Sequence, residues 1–158
     1  MPSDIEGDVM AYALVEVSKP GDWTDFHAIR RVELFESKGR IGVYNDRHPD
    51  DYADFAHPFL LKLDERALGT TRLDLFGDGR AAVRLVAITA SEQGRGHGRV
   101  MEHLVSVRAR EFGVETLLVN AAAEAVGFYE KTGWQPFDWD PTELVSIAAS
   151  CIQMRKLL

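Results

Sequence analysis

The sequence of 158 residues has a single cysteine, Cys151, which excludes an internal disulfide. Cys151 stands in an apolar, strand-like stretch, so we expect a core residue rather than a nucleophile. A chain without disulfides suits a reducing compartment, and the expected location is the cytoplasm. The sequence also lacks an apolar run long enough to span a bilayer and shows no secretion signal, so no membrane partner is expected.

Basic residues are in the minority: 18 Lys and Arg stand against 25 Asp and Glu, for a net charge of -7. An acidic chain without a basic stripe argues against nucleic acid as a partner. The excess acid would suit a cationic amine substrate, although a solvated acidic surface is the simpler explanation and the one we favour. The aspartates and histidines of residues 45–58 lack a standard ligand spacing, so no metal site is expected.

Internal repeats and low-complexity linkers are also missing. A chain of this length can bury about 70% of its unfolded surface, which is enough for one core without disulfides or metals. Hydrophobic residues make up 46% of the sequence, an ordinary share for a globular protein. We therefore expect residues 1–158 to form a single domain.

The most informative stretch is rich in glycine and reads Gln93-Gly94-Arg95-Gly96-His97-Gly98. The apolar segment 82–89 before it predicts a strand, and residues 99–113 after it predict a helix. Alternate glycines let backbone N–H groups approach a ligand closely, and the N-terminus of a helix carries about half a positive charge. The stretch therefore predicts an anion site, with phosphate as the usual occupant.

Two common phosphate motifs do not match this stretch. It has no Gly-Lys-Ser/Thr ending, so it is not a nucleoside triphosphate P-loop. It comes late in the chain, and no acidic residue ends a second strand about 20 residues later, so a dinucleotide-binding fold fits poorly. A protein that binds some other phosphorylated ligand at the turn is an alternative.

A second motif follows the next apolar strand, 116–120, and reads Ala125-Val126-Gly127-Phe128-Tyr129-Glu130-Lys131-Thr132-Gly133-Trp134. The first motif has the pattern Gln-x-x-Gly-x-Gly, and the second has Phe-Tyr-x-x-x-Gly-aromatic. In this order and at this interval they resemble the motifs of the GNAT superfamily, the GCN5-related N-acetyltransferases. The resemblance is good from Val83 to Phe137 and looser elsewhere.

The resemblance implies an α+β fold, a mixed and mostly antiparallel sheet of about seven strands with helices on both faces. The residue pattern is consistent with it and predicts strands at 10–17, 59–63, 67–75, 116–120, 134–137 and 146–157. A first helix is predicted from the N-cap Asp22 to about Ser37, and a last one over about 122–132.

The resemblance also implies where coenzyme A would bind. In the family, the strands on either side of the long helix splay apart, and the pantetheine arm lies in that gap against the backbone of Ala87 and Ile88. Phe128 would pack beside the cofactor, and Asn120 would either bond the arm or cap the next helix. Arg95 and Arg99 would add charge or be merely exposed. The pyrophosphate would lie on the amides of Gln93, Gly94, Arg95, Gly96, His97, Gly98 and Arg99.

The implied chemistry is acyl transfer from a thioester to an amine. At pH 7 only about one lysine-like amine in 2,500 is neutral, so a base or desolvation must offset about 4.6 kcal/mol. Tyr129 matches the family tyrosine that faces the cofactor sulfur, and its phenol is the candidate acid for the leaving thiolate. Its alternative role is simple packing. No base is identifiable among the acidic residues and histidines expected near the cleft, Asp54, Asp74, Glu124, His57 and His97.

The expected function is that of an N-acetyltransferase with acetyl-CoA as co-substrate and no metal. It would move the acetyl group by direct transfer to a primary amine of a small molecule or peptide. The alternative is a non-catalytic acyl-CoA-binding sensor or interaction module on the same fold. The sequence does not identify the acceptor, and it leaves open whether the chain forms a homodimer.

Overall fold

The computed structural model describes residues 11–158, in which seven strands form one mixed sheet. The strand order is β1-β2-β3-β4-β5-β7-β6, and the β4–β5 pair is parallel while the others are antiparallel. This confirms the predicted mixed, mostly antiparallel architecture. The strands are β1 (Tyr12–Glu16), β2 (Ala56–Leu63), β3 (Arg66–Leu75), β4 (Arg80–Ile88), β5 (Thr116–Ala121), β6 (Gln135–Pro136) and β7 (Ile152–Leu157). Met10, where the first strand was expected to begin, lies outside the described residues.

Helices cover both faces of the sheet, as the alternation of side chains along β2 shows. Phe59 and Leu61 pack in one core cluster with residues of the second helix, α2 (His97–Glu111). Leu60, between them, packs in another cluster with Phe26 of the first helix, α1 (Pro20–Arg30). Successive side chains of a strand point to opposite faces, so the two helices lie on opposite sides. A short third helix, α3 (Val126–Lys131), follows β5.

The first helical segment differs from the prediction at its start. Its N-cap is Lys19, which makes no side-chain capping bond, and Pro20 occupies the first turn. Asp22 is therefore not the cap; it is buried and pairs with Lys62 at 3.1 Å. Beyond α1 the chain continues as a π-helical turn, Arg31–Phe35, and a 3₁₀ turn, Glu36–Lys38, before ending at Gly39 with φ of 80°. The predicted end is thus confirmed and the predicted cap is wrong.

The C-terminal strand is shorter than predicted. Of the range 146–157, only Ile152–Leu157 is extended, and residues 146–148 form a 3₁₀ turn. Ser146 has φ of 56°, which interrupts an extended backbone. Cys151 precedes the strand and is only partly buried, so the expectation of a core cysteine is also wrong. The strand predicted at 134–137 is reduced to Gln135–Pro136.

The sheet opens in its middle, between β4 and β5. Their parallel pairing covers four residue pairs, from Arg80↔Thr116 to Val83↔Val119, although both strands continue further. Just beyond the last pair, Leu85 has φ of 52°, and the β3–β4 register shifts opposite it. This irregularity is a β-bulge, which bends a strand and increases its twist. A gap between the carboxyl ends of β4 and β5 results.

Candidate active site

A cleft of about 1240 Å³ passes through the gap between β4 and β5. Both strands contribute to its walls, through Val83 to Val86 on one side and Val119 and Asn120 on the other. One end meets the glycine turn at Gln93 and Gly98, and α3 contributes Phe128 and Tyr129. The cleft therefore brings together the two sequence motifs.

The glycine turn presents bare backbone amides at the start of α2. Gly94 and Gly96 have φ of 78° and 84°, values that residues with a side chain rarely adopt. Gly96 is the N-cap and supplies no side-chain cap, so the first N–H groups of the helix lack intrahelical partners. Within residues 11–158, no hydrogen bond is donated by the N–H groups of Gly94, Arg95 or Gly96. This is the geometry of an anion site.

The exposed charged side chains of this turn are positive, and the acidic side chain beside it is buried. Arg99 is exposed and has no ion pair with the described residues. Arg95 is also exposed, and its guanidinium lies 3.4 Å from Glu92. Glu92 is buried, and the pKa of its carboxyl is lowered chiefly by the hydrogen bond from Arg66. The charge of Glu92 is balanced by Arg66. The helix end therefore keeps the positive charge of Arg95 and Arg99.

His97 contributes its backbone to the turn, while its ring is buried. The Nδ1 atom lies 2.7 Å from the hydroxyl of Tyr12 on β1, and the ring packs edge-on against that tyrosine. His97 does not line the cleft. The ring therefore fixes the start of α2 against the sheet.

Ala87 and Ile88 lie on β4 beyond Val83. Within residues 11–158, this part of β4 pairs with no strand on its β5 side. The Ile88 carbonyl accepts one hydrogen bond at 2.9 Å from the side chain of Gln93. Gly69 lets β3 approach this segment closely, since a Cβ there would lie 2.9 Å from the Ala87 carbonyl and 2.7 Å from Ile88 Cδ1. Phe128 lies against Gly98, where a Cβ would be 3.7 Å from its ring.

Tyr129 forms part of the cleft wall and is 7% exposed. Its ring packs edge-to-face against Trp134 and Phe128, with centroids 5.3 and 5.4 Å apart. Its hydroxyl makes no hydrogen bond with residues 11–158. Burial, with smaller contributions from Glu102 and Cys151, raises the pKa of the phenol to about 12. Tyr129 therefore stays protonated and is available as a hydrogen-bond donor.

A line of ion pairs runs from the protein interior to the cleft, and four of its members, Arg72, Asp74, Arg84 and Glu143, line the cleft. Asp51 binds Arg30 and Arg72, Asp74 binds Arg72 and Arg84, and Arg84 also forms a two-pronged pair with Glu143. Burial would lower the pKa of Arg84, but Glu143 and Asp74 outweigh it and raise the pKa. We call this set the ion network. Its members are Arg30, Asp51, Arg72, Asp74, Arg84 and Glu143.

Asn120 contacts this network and does not cap a helix. Its Nδ2 donates to Glu143 Oε1 at 3.0 Å, and its Oδ1 accepts from Gln153 Nε2 at 2.9 Å. The N-cap of the following 3₁₀ turn is Ala122. The sequence analysis missed Arg84 and Glu143, because no motif marks an arginine within a strand or a glutamate in the loop before β7.

The candidate bases named from the sequence are mostly outside the cleft. Asp54 and Glu124 are exposed and do not line it. His57 pairs with Glu16 at 3.0 Å beside β1. Asp74 does line the cleft but is buried between Arg72 and Arg84. Of the base candidates, the cleft therefore contains only Asp74. Of the other predicted site residues, those that line it are Ile88, Gln93, Gly98, Asn120, Phe128 and Tyr129.

The described residues contain neither a metal-ion cluster nor a membrane-spanning helix. Within residues 11–158, no group of three or more His, Cys, Asp or Glu side chains is arranged to hold a metal ion. In the same range, no helix has both the length and the apolar character needed to cross a bilayer.

Solved structures with the same architecture include proteins described as acetyltransferases. A Lactobacillus plantarum protein classed provisionally as an N-acetyltransferase superposes with a TM-score of 0.78 at 21% identity, over 94% of this chain and 99% of that one. A chimera of the spermidine N-acetyltransferase SpeG from Vibrio cholerae and hSSAT gives 0.73 at 14% identity, covering 93% and 95%. The PaiA N-acetyltransferase of Thermoplasma acidophilum, solved with coenzyme A, gives 0.69 at 13%, covering 94% and 100%. At these identities the likeness establishes the fold.

No curated protein sequence matches the chain significantly. The model of the acetyltransferase (GNAT) family matches residues 23–134, which include both strands that border the gap, the glycine turn and Tyr129. That range covers well over half of the chain and both motifs. The chain therefore belongs to the acetyltransferase (GNAT) family and is an acyltransferase of the GNAT type.

Proposed function

We propose that the chain transfers an acetyl group from acetyl-CoA directly to a primary amine of a small molecule or peptide. The observation that carries this proposal is the junction of three features in one cleft. A gap in the sheet exposes strand backbone, a helix end offers free amides, and a protonated tyrosine lines the wall. Together they suit a thioester attached to a long arm and a diphosphate.

The residues of the cleft and of the glycine turn suit both the pyrophosphate and the arm of coenzyme A. The free amides from Gly94 to Arg99, with Arg95 and Arg99, would hold the pyrophosphate. Backbone groups of Ala87 and Ile88 would bind the arm as a neighbouring strand does, and Phe128 would pack beside it. Asn120 has its side chain on Glu143 and Gln153, so it would shape the gap rather than bind the arm through its Oδ1. When bound, acetyl-CoA supplies an activated acyl group.

Tyr129 would stabilise the departing sulfur. A phenol whose pKa is about 12 is a weaker acid than a thiol of about 8.5, so complete proton transfer to a free thiolate would be uphill. Hydrogen-bond donation is not subject to this limit. A donor fixed in a buried wall stabilises developing negative charge without having to reorganise. Tyr129 therefore acts in this proposal as a donor to the sulfur.

Direct transfer is favoured over an acylated cysteine. Cys151 lines the cleft, but burial raises the pKa of its thiol, with a further contribution from Glu124. The thiolate is the nucleophilic form, so a raised pKa makes Cys151 a poor acyl carrier at neutral pH. The acceptor amine would thus attack the thioester itself.

The test is a thiol-release assay with acetyl-CoA and a panel of amines, with product masses measured. We expect an acetylated amine, initial-rate lines that intersect, and unchanged activity in Cys151→Ala. Parallel lines together with an inactive Cys151→Ala variant would indicate a ping-pong route instead. Coenzyme A binding without turnover of any amine would favour the sensor. A cytoplasmic location and a homodimer stay predictions.

A further inference from the structure

We propose that Glu143 binds the amine of the acceptor, and that the acceptor is a monoamine on an apolar body rather than a polyamine. This inference rests on the proposed function. The observation behind it is the position of Glu143. The paired part of β4 and β5 ends at one residue in each strand, and Glu143 contacts the next residue of both strands. Those residues are Arg84 and Asn120.

The face on which these side chains lie follows from the strands. Val83 and Val119, the last pair, pack in the core cluster that contains Met101 and Val105 of α2. Arg84 and Asn120 come next, so their side chains project to the other face of the sheet. Glu143 thus spans the gap on the face opposite α2, where an acceptor can approach a thioester lying in the gap.

The carboxylate of Glu143 keeps one hydrogen-bonding position free. Oε1 accepts from both Arg84 and Asn120, and Oε2 accepts from Arg84 Nη2 at 3.1 Å. A carboxylate offers about four acceptor positions, so one on Oε2 is unused. The side chain is 26% exposed and lines the cleft. An amine N–H can donate to this position, and the neutral amine keeps such an N–H while its lone pair attacks.

The other charged side chains are either paired in the interior or lie on a rim where cations outnumber carboxylates. Asp74 and Asp51 are buried and enclosed by arginines. On the rim, Lys38 and Arg40 line the cleft and have no ion pair with the described residues, and together they outnumber the exposed carboxylate of Asp50. Free positive charge at the rim disfavours a second cation on the acceptor.

The rest of the lining is apolar and reaches the surface. Large hydrophobic side chains on the cleft wall are exposed by 37% to 57%, an unusual cost unless a ligand covers them. They come from four separate segments of the chain, and they are Phe55, Phe76, Leu85 and Ile147. An apolar body next to one amine matches this lining.

Initial rates with saturating acetyl-CoA test the inference, with phenethylamine and spermidine as acceptors. We expect phenethylamine to have the higher kcat/KM. In Glu143→Gln we expect its KM to rise about 10- to 100-fold, the range for losing a hydrogen bond to a charged group. The KM for acetyl-CoA and the inhibition constant of ethylbenzene, which keeps the apolar body and has no hydrogen-bond donor, should change little. Glu130→Gln, an exposed glutamate of α3 outside the cleft lining, is the matched control.

Two results would overturn the inference while leaving acetyl transfer intact. One is a preference for spermidine over phenethylamine, which needs no variant to observe. The other is a wild-type KM for phenethylamine in Glu143→Gln. A Glu143→Gln chain that melts at the wild-type temperature shows that the KM change is not unfolding. Absence of turnover with every amine would overturn the proposed function as well.

Discussion

Arg30 and Asp51 form a two-pronged ion pair in the protein interior, with Arg30 Nη1 2.9 Å from each carboxylate oxygen of Asp51. Both side chains are 2% exposed. Asp51 also accepts from Arg72 at 2.8 Å, and Arg72 pairs with Asp74 as well, so within residues 11–158 Asp51 is the carboxylate on which the buried Arg30 depends. The loop that carries Asp51 is thereby fixed to α1 and β3, beside the cleft.

Asp51→Asn should therefore destabilise the fold strongly. The variant leaves the buried Arg30 short of a negative charge, and breaking a buried pair in this way costs about 3–5 kcal/mol. Urea denaturation measures the free energy of unfolding. Asp78→Asn, which breaks an exposed pair with Arg80, is the control and should have little effect. Equal losses of unfolding free energy in the two variants would mean that burial does not increase the cost of breaking an ion pair.

Tyr129→Phe should lower kcat about 100-fold, the usual effect of removing one donor to a developing charge. Coenzyme A affinity, measured by calorimetry, should stay within about twofold, because the ring packing is retained. Tyr52→Phe removes a phenol outside the cleft and should leave kcat unchanged. Wild-type turnover in Tyr129→Phe would remove the hydroxyl from the mechanism.

Gly96→Glu should abolish coenzyme A binding, since it places a carboxylate and added bulk at the helix end. The matched control is Gly113→Glu near the other end of α2. Both glycines have left-handed backbones, with φ of 84° and 81°, and a Cβ at either would meet no atom within 4 Å. The backbone strain and the charge change are therefore alike, and only the location differs. Equal affinity in the two variants would place the pyrophosphate elsewhere.

The stability of the chain should fall as the pH is lowered through the titration of His27. Burial lowers the pKa of this histidine, and Arg30 and Arg31 lower it further against the opposing charge of Asp51 and Asp46. The unfolded chain then binds more protons than the folded one below about pH 6.5, so the free energy of unfolding decreases there. Denaturation midpoints measured between about pH 5 and pH 8 test this.

The hydrogen bonds of His27 explain why its protonation is unfavourable. Tyr52 donates its proton to the Asp46 carbonyl at 2.7 Å, so it accepts from His27 Nε2 at 3.1 Å. Nδ1 is then the acceptor from Tyr44, at 2.5 Å, and has no place for a proton. His27→Gln should flatten the pH dependence, whereas His48→Gln, at an exposed position, should not. An unchanged slope in His27→Gln would assign the effect to another group.

The glycine turn and its place between a strand and a helix were predictable from the sequence, and the ion pairs on the other side of the cleft were not. Gln93, Gly94 and Gly96 form a contiguous pattern whose physical demand, a left-handed turn before a helix, few other residues satisfy. Glu143 and Arg84 lie 59 positions apart, and their pairing depends on how the last loop folds over the sheet. Single charged residues in loops and strands carry no such local signal.

Local chemistry also explains the errors at the ends of elements. Asp22 has the features of a helix cap, but Lys62 on β2 pairs with it, and Pro20 starts the helix two residues earlier. The stretch before β7 is apolar enough to predict a strand. There Ile147 and Cys151 line the cleft and Ser146 takes a left-handed backbone, so no ladder forms.

The four residue pairs between β4 and β5 are the only ladder that joins β1–β4 to β5–β7 within residues 11–158. A strand-like ligand lying in the gap would extend that ladder from inside the protein. Acetyl-CoA would then act as a removable structural element, and its binding would raise the melting temperature by mass action. Backbone amides of β4 beyond Val83 would exchange with deuterium fastest in the free enzyme and would slow most when the ligand is added.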